Sequence, residues 1–250
     1  MNKDALRAVV RKQWLIAFRD RRLRTLGFIL LLACVAAFVS GLARHGALNA
    51  EAQAAHAADA RTWRQQGVVN PHQAAHFGRH VFQPASLLAA FDPGVLDHVG
   101  TVVRLEAHRQ TPASGRPSDA GTSLTGFASL SAASLLQLLG PLLIILIAFT
   151  SFSGQQPRTL LRQEIGAGVA PRVLLLGQLA AWGAVIAAVL ALFTIVALVL
   201  LALAKAELEH VVRIAGMMLG YALYLCAFLA LALGVSAWFR SARGALITLL

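Results

Sequence analysis

Residues 19–44 read RDRRLRTLGFILLLACVAAFVSGLAR, and the order of chemistry within them decides the fold. Arg19, Arg21, Arg22 and Arg24 come first, followed by Leu26 to Ala43, eighteen residues without a charge. A helix needs roughly 20 apolar residues to cross a bilayer's hydrocarbon core, and a backbone inside that core must satisfy its own hydrogen bonds. The run is therefore read as a transmembrane helix. Lys and Arg are retained on the cytoplasmic side, so the N-terminus is expected in the cytoplasm and the chain beyond Ala43 outside it. The run begins too far from Met1, and is too long, for a cleavable signal, so a retained anchor is expected.

Composition agrees with this. The 250 residues are 58% hydrophobic and 13% charged, with a mean hydropathy of +0.67, whereas about a quarter of an ordinary soluble domain is charged. A net charge of +11 could suggest nucleic acid, but eight of the 22 basic residues (Lys3, Arg7, Arg11, Lys12, Arg19, Arg21, Arg22, Arg24) precede the first apolar run. Topology and anionic lipid explain such a cluster. The lipid bilayer is the expected partner, and no nucleic acid is. Cys34 and Cys226 both fall within apolar runs, where a thiol behaves as a small hydrophobe.

Outward from the first run, residues 1–24 place Leu6, Val9, Val10, Trp14, Ala17 and Phe18 at near-helical spacing, which predicts an amphipathic helix in the headgroup plane. Transmembrane helices are predicted over 25–43, 130–152, 173–204 and 214–238. Pro141 interrupts the second, which a membrane helix tolerates when another group satisfies the freed carbonyl. Residues 44–129 form an extracytoplasmic, mainly helical domain holding seven of the eight histidines, with an alanine-rich helix over Ala47 to Gln66 ended by Gly67. Residues 153–172, with Arg158, Arg162 and Arg172, are expected to be cytoplasmic, and 205–213 an extracytoplasmic loop. A further apolar run starts at 244 and reaches 250, from which a longer native chain is expected. The fold class is an all-α polytopic membrane protein of the cell inner membrane.

Three stretches carry a family resemblance. KDALRAVVRKQWLIAFRDRRLR (3–24) resembles the basic interfacial elbow of ABC-2-type transporter permeases. NPHQAAHFGRHVFQPASLLAAFDPGVLDHVGTVVRLEAHRQ (70–110) is similar to the exported segment of the subgroup linked to multicopper-enzyme maturation. FSGQQPRTLLRQEIGAGVAPRVLLLGQ (152–178) is similar to the family's coupling segment. Thr159 and Leu160 match its Thr-Leu, and Leu174, Leu175, Leu176 and Gly177 its later run. Gly154 and Gln156 stand where the family usually has glutamates, Arg158 replaces a glycine and Gln178 a lysine. The resemblance implies a permease subunit of an ATP-driven exporter, with an ABC ATPase subunit and a second permease copy or paralogous permease as partners. It places coupling to the ATPase at Arg158, Thr159, Leu160 and Arg162.

The chain is not expected to be an enzyme or to carry a cofactor. Its lysines, Lys3, Lys12 and Lys205, are none of them preceded by glycine, so a phosphate-cradling loop cannot be built. His72, His76 and His80 recur every four residues, and on a helix they would form a stripe able to offer imidazoles to a metal. Pro71 and Gly78 break that helix and no cysteine completes the set, so surface histidines are the favoured reading. Phe91, Asp92, Pro93 and Gly94 predict a turn. Gly216 and Gly220 predict close helix packing. The spans hold no lone charge to mark an ion path. The rival function is a membrane-anchored binding or maturation module for a periplasmic protein or metal.

Overall fold

A computed structural model describes residues 3–83, 86–96, 98–116, 130–203 and 208–250, the side chains of Arg22, Leu200, Leu201 and Leu208 aside. The predicted boundary at 129 and the first part of the predicted 205–213 loop lie outside the described residues. In chain order the elements are α1 (Lys3–Arg19), α2 (Arg21–Gln65), α3 (Pro71–Phe77), β1 (Arg79–Phe82), a 3₁₀ turn (Leu87–Ala90), β2 (Val102–Leu105), α4 (Ala132–Ala148), α5 (Gln155–Gly166), α6 (Pro171–Leu203), α7 (Leu208–Trp238) and α8 (Ala242–Leu249). Among the described residues three helices, Leu23–Gln65, Pro171–Val199 and Glu209–Trp238, are long and apolar enough to cross a membrane. Phe28, Ile195, Leu219 and Leu223 on them are exposed, as suits side chains facing hydrocarbon.

Several predicted boundaries change. The first span and the alanine-rich stretch are one helix, α2, because no proline separates them and the helix runs on through Gly46; it ends where Gly67 takes φ +70°. Asp20 alone divides α1 from α2 and accepts from the Leu23 N–H at 3.4 Å, in the manner of an N-cap. The span predicted over 130–152 is a 17-residue helix, since the chain leaves α4 after Ala148. Helix α7 already begins at Leu208, inside the predicted loop.

The chain divides into two compact units, Ala33–Ser134 and the remainder, Met1–Leu32 with Leu135–Leu250. The first starts inside the apolar run because Cys34, Phe38 and Gly41 are its floor. Cys34 and Phe38 are buried, Phe38 meets Phe91 edge-on at 5.6 Å, and a Cβ on Gly41 would fall 2.0 Å from the Ala90 carbonyl oxygen. The Ala133 N–H donates to the Phe91 carbonyl at 3.1 Å, which fastens the start of α4 to that turn. The predicted turn is present: Asp92 Oδ1 accepts from the Gly94 N–H at 2.9 Å, and Gly94 has φ +54°. Strands β1 and β2 pair antiparallel, Arg79 opposite Leu105 and Phe82 opposite Val102. This hairpin is absent from the mainly helical reading of the insert.

In the other unit α1 lies along α6. A Cβ on Gly177 would sit 2.4 Å from Val9 Cγ1, so only glycine lets the two helices approach this closely. Helix α4 packs on α7, where Gln137 Nε2 donates to the Tyr221 hydroxyl at 2.9 Å. A Cβ added at Gly216 or Gly220 would meet nothing within 4 Å, so the predicted close packing does not occur within the chain among the described residues.

Candidate functional site

The segment between α4 and α6 folds into α5, a 12-residue amphipathic helix. Gly154 opens it at φ +99°, and Gly168 closes it at φ +87°. The Gly168 N–H reaches the Ile165 carbonyl and the Val169 N–H the Glu164 carbonyl, the paired bonds of a Schellman cap. A helix this short is marginal alone and takes its order from tertiary contacts.

Those contacts converge on Ser236. Its buried hydroxyl donates to the Phe149 carbonyl at 2.8 Å and accepts from the N–H groups of Phe152 at 2.9 Å and Ser153 at 3.2 Å. Ser153 Oγ also donates to the Phe149 carbonyl, at 2.5 Å. The Gly154 N–H donates to the Arg240 carbonyl at 3.2 Å, and Arg158 Nη2 to the Phe239 carbonyl at 3.3 Å. The link from α4 to α5 is thus fastened to the link from α7 to α8. On the opposite side Lys12 of α1 donates to Glu164 Oε1 of α5 at 2.5 Å.

Between α1, α5 and α6 lies a cavity of about 340 Å³, lined by Gln13, Ser151, Gln156, Glu164, Gln178 and Trp182 among others. Ser151 Oγ, Gln178 Oε1 and Trp182 Nε1 are buried and find no protein partner among the described residues. Ile16, Ile147 and Leu174 give the cavity apolar walls as well, and its size is enough to hold ordered water beside the polar groups.

The structure separates the four residues predicted to couple. Arg158 and Arg162 do not form one outward pair: Arg158 is drawn inward by the Phe239 carbonyl, and Arg162 is exposed. The Thr159 hydroxyl is spent on the Gln155 carbonyl of its own helix at 3.0 Å. Leu160 is 48% exposed and Ile165, which the sequence did not single out, 43%.

With this arrangement in hand, a model of the ABC-2 family transporter proteins matches residues 7–250. The chain belongs to the ABC-2 transporter family. Neither a curated protein nor a solved structure matches it. As an ABC-2 protein with several apolar helices it is a multi-pass membrane protein and a permease component rather than an enzyme.

This ABC-2 permease also regroups its histidines. Helix α3 stops at Phe77 because Gly78 takes φ +71° and comes so near β2 that a Cβ would fall 2.8 Å from the Leu105 carbonyl oxygen. His80 is carried onto β1, where its N–H and Nδ1 both lie 3.1 Å from Asp59 Oδ1. It does not join the predicted stripe. Asp59 is 13% exposed and also meets Arg79 at 3.3 Å. Burial pushes its carboxyl upward, but the bonds from the His80 backbone and side chain and from Arg79 outweigh this and hold it below its ordinary value. The residue that joins His72 and His76 is instead His108.

Proposed function

We propose that this permease component works in an ATP-driven exporter of the inner membrane, with the N-terminus and α5 in the cytoplasm, residues 44–129 outside it, and ATP hydrolysis on a separate subunit that docks on α5. A second permease copy or a paralogue completes the transport path. One observation supports the reading: α5 is fixed on its inner side through Ser236, Arg158 and Glu164, yet leaves Ile165 and Arg162 exposed on the side away from the cavity. A pre-ordered helix with an exposed apolar residue beside an arginine suits a protein partner, because little ordering entropy is lost on docking.

The test is recovery of the ABC ATPase with the purified chain. Arg162→Glu/Ile165→Asp is expected to lower ATPase recovery strongly, with yield and thermal stability unchanged, since both side chains are exposed and neither lines the cavity. Equal recovery from the wild type and the double variant would remove α5 as the docking element.

A further inference from the structure

His72 and His76 stand one turn apart on α3, with their Nε2 atoms 3.2 Å apart. The His108 ring lies 6.0 Å from the first and 5.4 Å from the second, centroid to centroid. One nitrogen from each falls within 4.8 Å of the other two, and all three side chains are exposed. We propose that these three imidazoles form an exchangeable site for a borderline divalent transition metal, Cu²⁺ or Zn²⁺.

Three features set this apart from chance proximity. The histidines come from two segments tied together by a backbone bond, from the Ala107 N–H to the Ala75 carbonyl at 2.9 Å, and by a side-chain bond, from Arg104 Nη2 to the Phe77 carbonyl at 3.2 Å. Helix α3 is further held by Trp63, whose ring meets Phe77 at 6.2 Å and lies under Arg79 at 5.6 Å. Finally, His108 is the one described non-glycine residue with positive φ, at 59°, in a two-residue turn closed by the bridge between Glu106 and Arg109. That left-handed conformation turns its ring back toward α3, and such conformations are uncommon outside glycine.

The distances suit the metal. Nitrogen ligands about 2.05 Å from a tetrahedral ion are about 3.3 Å from one another. The His72–His76 pair already has that separation, and His108 reaches it by closing roughly 1.5 Å through its side-chain torsions. The donor set gives the selectivity. Imidazole nitrogen suits Cu²⁺ and Zn²⁺, whereas Ca²⁺ and Mg²⁺ require oxygen. Glu106, two residues before His108, is engaged by Arg104 at 3.0 Å and Arg109 at 3.2 Å. Two arginines against one glutamate also disfavour a hard cation held by charge alone. Three protein ligands leave a fourth position open, the mark of a site that exchanges its ion or shares it with a partner.

The test uses the full chain, free of a histidine tag, in detergent micelles, titrated with Cu²⁺ and followed by electron paramagnetic resonance and by competition with Zn²⁺. One equivalent is expected to bind with hyperfine splitting from three nitrogens. His108→Asn, which keeps a residue tolerant of positive φ, and His76→Gln are each expected to weaken binding by at least about tenfold, the lower end of what loss of even an outer-shell partner costs a metal site. His98→Gln and His80→Gln are expected to leave affinity unchanged. Matching circular dichroism and elution volume establish that the variants are folded. The proposal is overturned by absence of saturable binding, by equal weakening across all four variants, or by a loss confined to His80→Gln, which would restore the linear stripe in its place.

Discussion

The Tyr224 hydroxyl donates to the Gln137 carbonyl oxygen at 3.0 Å, and Gln137 lies four residues before Pro141, inside α4. Proline has no N–H, so this is the carbonyl that Pro141 deprives of its helical donor. A residue 87 positions away on α7 supplies the missing bond. Tyr224→Phe is therefore expected to lower stability by about 1 kcal/mol, the usual range for polar bonds between membrane helices. The same change in a Pro141→Ala background should have almost no effect, because alanine brings back the backbone N–H that completes the ladder. Unfolding in mixed micelles measures the cycle, and an equal loss in both backgrounds would disprove the link.

Gly177 and Val9 provide a steric test. Gly177→Ala places a methyl at 2.4 Å from Val9 Cγ1 and should cost about 1–3 kcal/mol by overpacking, despite alanine's better helix propensity. Val9→Ala, introduced second, should recover most of the loss. Thermal denaturation of the single and double variants decides this, and a neutral Gly177→Ala would show that α1 does not rest against α6 as described.

Asp59 gives a signed pH dependence. Its folded-state pKa is below the ordinary 3.8, so its contribution is fully present above that value and is lost as pH falls through the lower, folded one. Asp59→Asn should therefore speed amide exchange in β1 and β2 at pH 7, and the difference between variant and wild type should vanish only in strong acid. A difference that instead closed between pH 7 and pH 5 would assign the effect to another group.

Orientation is checked by labelling single cysteines in a chain with Cys34 and Cys226 replaced. Ser153 is a poor position, being fully buried, so exposed Val68 and Gln163 are the sites to compare. An impermeant maleimide should label Val68→Cys in cells with a permeabilised outer membrane and leave Gln163→Cys unlabelled until the inner membrane is opened. The reverse pattern inverts the topology.

Apolar runs made the long helices legible, because hydrocarbon thickness imposes a length that sequence displays directly. The stretch 153–172 that holds α5 was legible as a polar break between apolar runs. Tertiary pairings were not. Pro141 announced that a carbonyl needed a donor but could not say that Tyr224 would provide it. Ser236 stood with Tyr221 and Tyr224 as a hydroxyl in the apolar stretch 214–238, and that was the available sign of the bonds it makes. The hairpin escaped because RHVF and VVRL are four residues each, too short to display alternation. The histidine grouping turned on Gly78: its positive φ ends α3 one residue earlier and sends His80 away, while His108 arrives through a strand pairing that linear spacing does not encode.

The three bonds at Ser236 make one hydroxyl a shared rivet between two helical hairpins. Residues 149–154 are pinned to the end of α7 at several points within a few residues, so that, were a subunit to dock on α5 as proposed, its push would reach this joint with little bending of the link. On that reading α7 and α8 are the lever. In a transporter that works by rocking helices, the stroke would thus enter and leave through the same joint, and the stiffness of that joint, more than the affinity of the docking surface, would govern how much of each ATP cycle reaches the transport path.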